Sequence, residues 1–158
     1  MQVRDAQQGD AAAMAAILNA IIAAGGTTAL AGRFDGARIA SQFTEAPRRI
    51  SCVVAMDDGT LRGFQALEWC DPDWPGPDPL PPDWAIVSTY VDPGSHRMGV
   101  GRTMFASTRE AAVRAGVRVI DATIRAENVG GQAFYEGIGF TTYRLGEGIV
   151  AKRLRTGA

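Results

Sequence analysis

The chain has 158 residues, 46% of them hydrophobic, and its 16 basic and 17 acidic side chains leave a net charge of −1. That length suits one domain, residues 1–158, with a core that needs neither metal nor disulfide, and the scattered, nearly cancelling charge offers no field to attract nucleic acid. Cys52 and Cys70 have no metal-ligand spacing with the lone His96, the N-terminal Met1 to Asp5 is polar and no apolar run could cross a bilayer, so the expectation is a cytoplasmic protein without metal, membrane or nucleic-acid partner.

A short strand is predicted over Gln2 to Asp5. Asp10 then caps a helix in which Met14, Ile17, Leu18, Ile21 and Ile22 recur at helical spacing. Gly25-Gly26 stops it, Thr27 to Gly32 reads as a loop, and a weaker helical pattern runs from about Gly36 to Phe43. Ile50 to Ala55 and Leu61 to Glu68 flank Met56-Asp57-Asp58-Gly59-Thr60 and predict a β-hairpin. Asp71 to Asp83 carries six of the eight prolines around Trp74, which excludes a central strand or a helix and leaves a stiff loop. Trp84 to Val91 is an apolar strand ended by Asp92-Pro93, and the helix after it turns Val100, Met104, Thr108, Ala111 and Ala115 inward and stops at Gly116. Val117 to Ile124 is a second buried strand, Asn128 caps a helix through Ile138, and Phe140 to Tyr143 and Ile149 to Arg153 are late strands. The order predicts an α+β (mixed α/β) fold in which Trp84–Val91 and Val117–Ile124, joined through a helix, run parallel.

Between that first parallel strand and its helix lies His96-Arg97-Met98-Gly99-Val100-Gly101-Arg102. Glycines admit a ligand close to the main chain, the first helical turn presents unpaired N–H groups at a positive dipole end, and Arg97 and Arg102 add charge. The pattern describes an anion site of several possible kinds. A nucleotide-phosphate loop fits poorly, because no Lys-Ser or Lys-Thr follows Gly101. Downstream, Asn128-Val129-Gly130-Gly131-Gln132-Ala133-Phe134-Tyr135-Glu136-Gly137-Ile138-Gly139-Phe140 follows the second parallel strand.

Together the two segments resemble the GNAT superfamily of acyl-CoA-dependent N-acyltransferases. The family's acyl-CoA turn reads Arg or Gln, two residues, Gly, one residue, Gly or Ala, and here runs from His96 to Gly101, with His96 a departure. The later segment is matched at Asn128, Phe134, Tyr135, Glu136, Gly139 and Phe140. A closer similarity, to the branch of phosphinothricin and methionine-sulfone acetyltransferases, rests on Asn19-Ala20-Ile21-Ile22, Gly25-Gly26-Thr27-Thr28 and Gly63-Phe64-Gln65.

The resemblance implies a GNAT-like fold: a mixed, mostly antiparallel sheet of about six or seven strands, helices on both faces and two splayed parallel strands. It implies acetyl-CoA as cosubstrate. The pantetheine would pair with Ser88, Thr89, Tyr90 and Val91, and the diphosphate would lie on the N–H groups of Met98, Gly99, Val100, Gly101 and Arg102, held by Arg97 and Arg102, with His96 alongside. Asn128 would bond pantetheine amides, and Phe134 and Tyr135 would join it in binding the cofactor. Tyr135 would be the acid that protonates the leaving thiolate, and an amide of Thr89 or Tyr90 would hold the oxyanion. The branch's strand glutamate maps to Val87, which takes no proton, so the base passes to Glu68, then to Asp83, or to a water chain or an already neutral amine. His96 is weighed as a base and set at the diphosphate instead. Trp69, Trp74 and Trp84 either line an acceptor pocket or bury against a second subunit, and Asn19, Thr27 and Thr28 either touch the acceptor or finish the helix end. The implied function is transfer of an acetyl group to the primary amine of a small metabolite, an amino acid or an analogue, by a homodimer. The alternative is an acyl-CoA-binding or sensing module with little turnover.

Overall fold

The computed structural model describes residues 1–157. Seven strands form one sheet: β1 (Gln2–Asp5), β2 (Arg49–Asp57), β3 (Thr60–Trp69), β4 (Trp84–Val91), β5 (Val119–Arg125), β6 (Thr141–Gly146) and β7 (Ile149–Arg155). Their spatial order is β1-β2-β3-β4-β5-β7-β6, every neighbouring pair antiparallel except β4 with β5. The predicted mixed α/β class and the single parallel pair are therefore what the chain adopts. The β2–β3 hairpin closes more tightly than expected: both strands run on to the two-residue Asp58-Gly59 turn, whose positive φ angles match the twist of a hairpin.

Helices cover both faces. On one lie α1 (Ala11–Ala24) and α2 (Gly36–Ile39), the latter continued by a wider turn over Ala40–Thr44. Met14, Leu18, Phe34, Ile39 and Phe43 pack there against Cys52, Val54 and Phe64. On the other face lie α3 (Val100–Ala115) and α4 (Val129–Gly137). Phe105, Ala112 and Tyr135 pack with Leu67, Val87, Ile120 and Ala122, while Val100 and Met104 sit against Val53 and Ala55. Alternation along the strands explains the division: beyond the register shift near Ile50, Cys52, Val54 and Met56 of β2 face α1, and Val53 and Ala55 face α3.

Several details differ from the sequence-based expectation. The inner stripe of α3 includes Phe105 and Ala112 rather than Ala115, which is exposed, because α3 leans toward α4 and sets Phe105 edge-on to Phe140 at 5.5 Å. Asp10 does not cap α1; its carboxylate accepts two bonds from Arg4 (2.7 and 2.9 Å) and one from the Gln7 amide, closing the preceding turn. The second parallel strand begins at Val119, since the Val117 amide is still engaged with the end of α3 at Ala112. Phe140 precedes β6 and belongs to the core. Cys52 and Cys70 are buried free thiols, and burial pushes Cys52 up to about 12.

Candidate active site

β4 and β5 pair over only three positions, Trp84–Val119, Ala85–Ile120 and Ile86–Asp121. Beyond Ile86 they separate, and the gap opens toward the C-terminal end of β4. Which groups line it follows from strand periodicity. The Asp92 amide donates to the Arg62 carbonyl (2.8 Å) and the Trp84 carbonyl accepts from Cys70 (3.1 Å), so even-numbered residues of β4 spend their main-chain groups on the β3 side. Those of Val87, Thr89 and Val91 point the other way, toward β5: Val87 flanks the last pair, Ile86–Asp121, while Thr89 and Val91 lie beyond it and face the gap. This divides the residues assigned to the pantetheine. Thr89 and Val91 can offer it a free strand edge, whereas the amides of Ser88 and Tyr90 belong to the β3 ladder, and Tyr90 drops out as an oxyanion donor in favour of Thr89.

At the outer end of the gap, the chain enters α3 through the predicted anion turn. Gly99 has φ +75°, a conformation that costs a side chain free energy, and nothing stands where its Cβ would be. The amides of Gly99, Val100, Gly101 and Arg102 lie at the positive end of a 16-residue helix, a setting that suits a diphosphate. Three assignments change. The Met98 amide is already turned to Ser95 (3.4 Å). A Cβ on Gly101 would lie 2.7 Å from the Phe134 ring, so this glycine serves the contact of α3 with α4 rather than close approach by a ligand. Arg102 donates to the Gly137 carbonyl at the end of α4 (2.9 Å), and Arg97, exposed and itself at φ +73°, is the other cation of the turn; His96 is exposed beside it.

Tyr135 sits where the motif predicts a proton donor. It is buried, its ring packs edge-on to Phe134 and Phe140, and its hydroxyl lies 2.9 Å from the Thr89 hydroxyl. Thr89 in turn accepts from the Gln65 amide at 2.8 Å. Burial raises the Tyr135 phenol above its ordinary value; the Thr89 bond opposes that, and Tyr90 and Asp121 add to it. The phenol thus stays protonated throughout the physiological range, as a donor must.

Asn128 is used differently from the expectation. Its Oδ1 accepts from the Gly131 amide (2.8 Å) and caps α4, and its Nδ2 donates to the Thr27 carbonyl (3.1 Å). Arg125 donates to the neighbouring Thr28 carbonyl (3.2 Å), so the loop after α1 is strapped across to the β5–α4 connection. Asn19 holds both main-chain groups of Phe34 and is structural, while Thr28 accepts from the Leu30 amide within the loop.

On the α1–α2 face, a pocket is lined by Phe43, Arg49, Ser51, Glu68, Ile86 and Ser88 among others. Glu68 lies across from Ile86 in the β3–β4 register, and burial raises its carboxyl, against the pull of Arg48 and with a further push from Asp71. Burial takes the Tyr90 phenol up to about 12, with the Ser88 and Thr28 hydroxyls pulling it back and Glu68 adding to the rise. Val87 points to the opposite face and is buried in the core with Leu67 and Tyr135, so a carboxylate at 87 would enter the apolar cluster; Ile86 is the β4 residue that meets the pocket. Asp83 is engaged with Arg118 (3.2 Å) at the closed end of the parallel pair and does not reach the gap. The tryptophans share no wall: Trp69 packs on the α3–α4 core, Trp84 stands edge-on to Tyr143 at 5.6 Å, and Trp74 is exposed and bonded to Pro77.

Two residues to which the sequence assigns no role in the site belong to this region, Asp121 and Gln65, the latter marked only as the end of the Gly63-Phe64-Gln65 likeness. Gln65 is fully buried beside Thr89. Asp121 is buried at the fork of β4 and β5, its carboxyl raised by burial and held by Tyr143 (2.6 Å) and Thr123 (2.9 Å). Each is a polar residue inside an apolar strand, the one signal that could have found them.

The model of the acetyltransferase (GNAT) family matches residues 27–140. A GCN5-related N-acetyltransferase from Kribbella flavida superposes with a TM-score of 0.80 at 24% identity, over 98% of this chain and 96% of that one. A provisionally named acetyltransferase from Salmonella typhimurium, solved with its cofactor acetyl-CoA, gives 0.78 at 20%, over 98% and 93%. A provisionally named phosphinothricin N-acetyltransferase gives 0.77 at 22%, over 98% of both chains. None of the curated proteins matches in sequence. At these identities the superpositions speak for the fold; the family match, over well more than half the chain, carries the assignment, and the chain belongs to the acetyltransferase (GNAT) family as an N-acetyltransferase.

Proposed function

We propose that the protein transfers the acetyl group of acetyl-CoA to the primary amine of a small metabolite, an amino acid or an analogue of the phosphinothricin and methionine-sulfone type. The observation that carries this is the Thr89 amide, which faces the gap beyond the last β4–β5 pair at Ile86, with the Tyr135 phenol 2.9 Å from the Thr89 hydroxyl on one face of the sheet and the Glu68 pocket, lined by Ile86 and Ser88, on the other. Acetyl-CoA supplies the acyl group as a thioester; the strand edge at Thr89 and Val91, the first-turn amides of α3 and Arg97 suit its pantetheine and diphosphate. In this reading Glu68 takes the amine proton from the α1–α2 side, directly or through one water, and its raised carboxyl makes it a stronger base than a solvated glutamate. The Thr89 amide donates to the developing oxyanion, and Tyr135 protonates the departing sulfur. The enzyme would act in the cytoplasm as a homodimer, with Trp74 and Leu145 exposed at 53% and 75% as candidate contact residues, a point that light scattering tests.

The test is release of free thiol from acetyl-CoA with a panel of amines, beginning with amino acids, methionine sulfone and phosphinothricin. Turnover on one of them is the expected result. Tight acetyl-CoA binding without turnover on any amine would instead favour the sensing module, a reading that the apolar Ile86 and Val87 in β4 keep in view.

A further inference from the structure

Gln65 poses an energetic question. Its side chain is fully buried between two antiparallel neighbours, Val53 and Thr89, on the apolar side of the sheet, and its Oε1 has no hydrogen-bond partner. An apolar residue would bury no unpaired carbonyl oxygen, and an unsatisfied buried acceptor carries the full cost of its desolvation. Its one bond is from Nε2 to Thr89 Oγ1 (2.8 Å). Among the described residues the Thr89 hydroxyl makes two bonds, this one and the contact with Tyr135 (2.9 Å). A hydroxyl has one hydrogen. Because Gln65 donates to the Thr89 oxygen, the arrangement that uses the Thr89 hydrogen directs it to Tyr135 Oη, and the Tyr135 hydrogen is then free to point into the gap. The reverse direction would leave the Thr89 hydrogen without an acceptor and turn the Tyr135 proton away from any ligand.

We infer that Gln65 and Thr89 are positioning residues that set the direction of the hydrogen bonds so that Tyr135 presents its proton to the leaving sulfur. The inference rests on the reading of Tyr135 as the acid. The amine nitrogen forms the new C–N bond and gives a proton to the base. As the C–S bond breaks, its electron pair stays on sulfur, sulfur takes the Tyr135 proton to become the thiol, and the Thr89 hydroxyl donates to the phenolate oxygen left behind. The phenolate recovers a proton from solvent and the protonated base returns one to it, so the balance is one amine and one thioester to one amide and one thiol.

The decisive variant is Gln65→Glu. An ionised carboxylate only accepts, so it takes the Thr89 hydrogen, reverses the chain and locks the Tyr135 proton onto Thr89; protonated, it can donate and restores the original direction. The ratio of kcat for Gln65→Glu to that of the parent should fall about tenfold or more as pH rises from about 5 to about 8, where a buried glutamate ionises. Gln65→Leu should lower kcat about tenfold, with the Kd for CoA by calorimetry unchanged and the melting temperature unchanged or raised by up to about 4 °C. Thr89→Val should lose about 100-fold, and Thr89→Ser should recover most of it. In the protein without acyl donor, the ring-carbon resonance of a 13C-labelled Tyr135 should move through the same pH range in Gln65→Glu, and no longer do so when Thr89→Val is added. A purely structural Gln65 predicts the opposite pattern: Gln65→Leu would lower stability and kcat together, and a flat Gln65→Glu ratio would overturn the inference. If Tyr135→Phe turns over like the parent, the acid assignment itself is wrong; if it is slow while the Gln65 and Thr89 variants are normal, only the present inference fails.

Discussion

At the scale of single residues, burial sets the chemistry more than sequence neighbours do. Glu68 is the clearest case, since this carboxylate near the end of a strand lies half-buried over a pocket with its ionisation disfavoured. If it is the base, activity should fall as pH drops through its raised value. Glu68→Gln should then cost about 100-fold at neutral pH and much less at high pH, where the amine has lost its own proton. A pH profile of kcat/KM for parent and variant checks this, and an equal loss at every pH would remove Glu68 from the role. Gly101 makes the opposite point. The motif presents it as a ligand-facing glycine, yet the Phe134 ring occupies the space a methyl group would need. Gly101→Ala should destabilise the fold by about 1–3 kcal/mol in urea unfolding, as overpacking does, and the loss should shrink when combined with Phe134→Leu.

At the scale of elements, the last helix ties the site together. Asn128 caps α4 and reaches the loop after α1, while Arg102 ties the start of α3 to the end of α4. Glu136, a motif residue with no contact to the gap, accepts at 2.7 Å from Lys152, whose ammonium is otherwise buried and also donates to Thr142. The motif is thus partly a packing signature. Asn128→Ala removes a cap and one of two straps, and should cost about 1 kcal/mol of stability. Amide hydrogen exchange should quicken at residues 27–30 more than in the sheet, because the loop loses its tie to the β5–α4 connection at Thr27 and keeps the one from Arg125 at Thr28. Uniformly faster exchange would mean that the strap does not hold the loop.

At the scale of the whole molecule, the sheet is continuous everywhere except at the fork, and Asp121 stands at the fork. Its folded-state carboxyl is raised above the unfolded value of about 3.9, so the buried group favours protonation and stability declines as pH climbs from that value through the folded one. Below about pH 3.9 the group is protonated in both states and contributes no slope. Asp121→Asn does not titrate, so its stability relative to the parent should improve as pH rises from about 4 to about 7. Urea unfolding of the two proteins at both ends of that range measures it. A constant difference would show that Asp121 ionises as easily folded as unfolded.

The sequence by itself determined the element order, the parallel pair, the glycine turn at the head of α3 and Tyr135 on the last helix. These are local or motif-scale properties: hydrophobic period, capping residues, turn glycines and a short spacing of functional groups. Only the tertiary structure decided which amides of β4 are free, that Arg102 and Asn128 are committed to holding helices and a loop, that Val87 and Ile86 face opposite sides, and that Gln65 and Asp121 belong to the site. The reason is strand register. A side chain's face and an amide's direction alternate at every residue, so their meaning depends on which strand lies alongside and where that pairing ends, and neither is written in the segment itself.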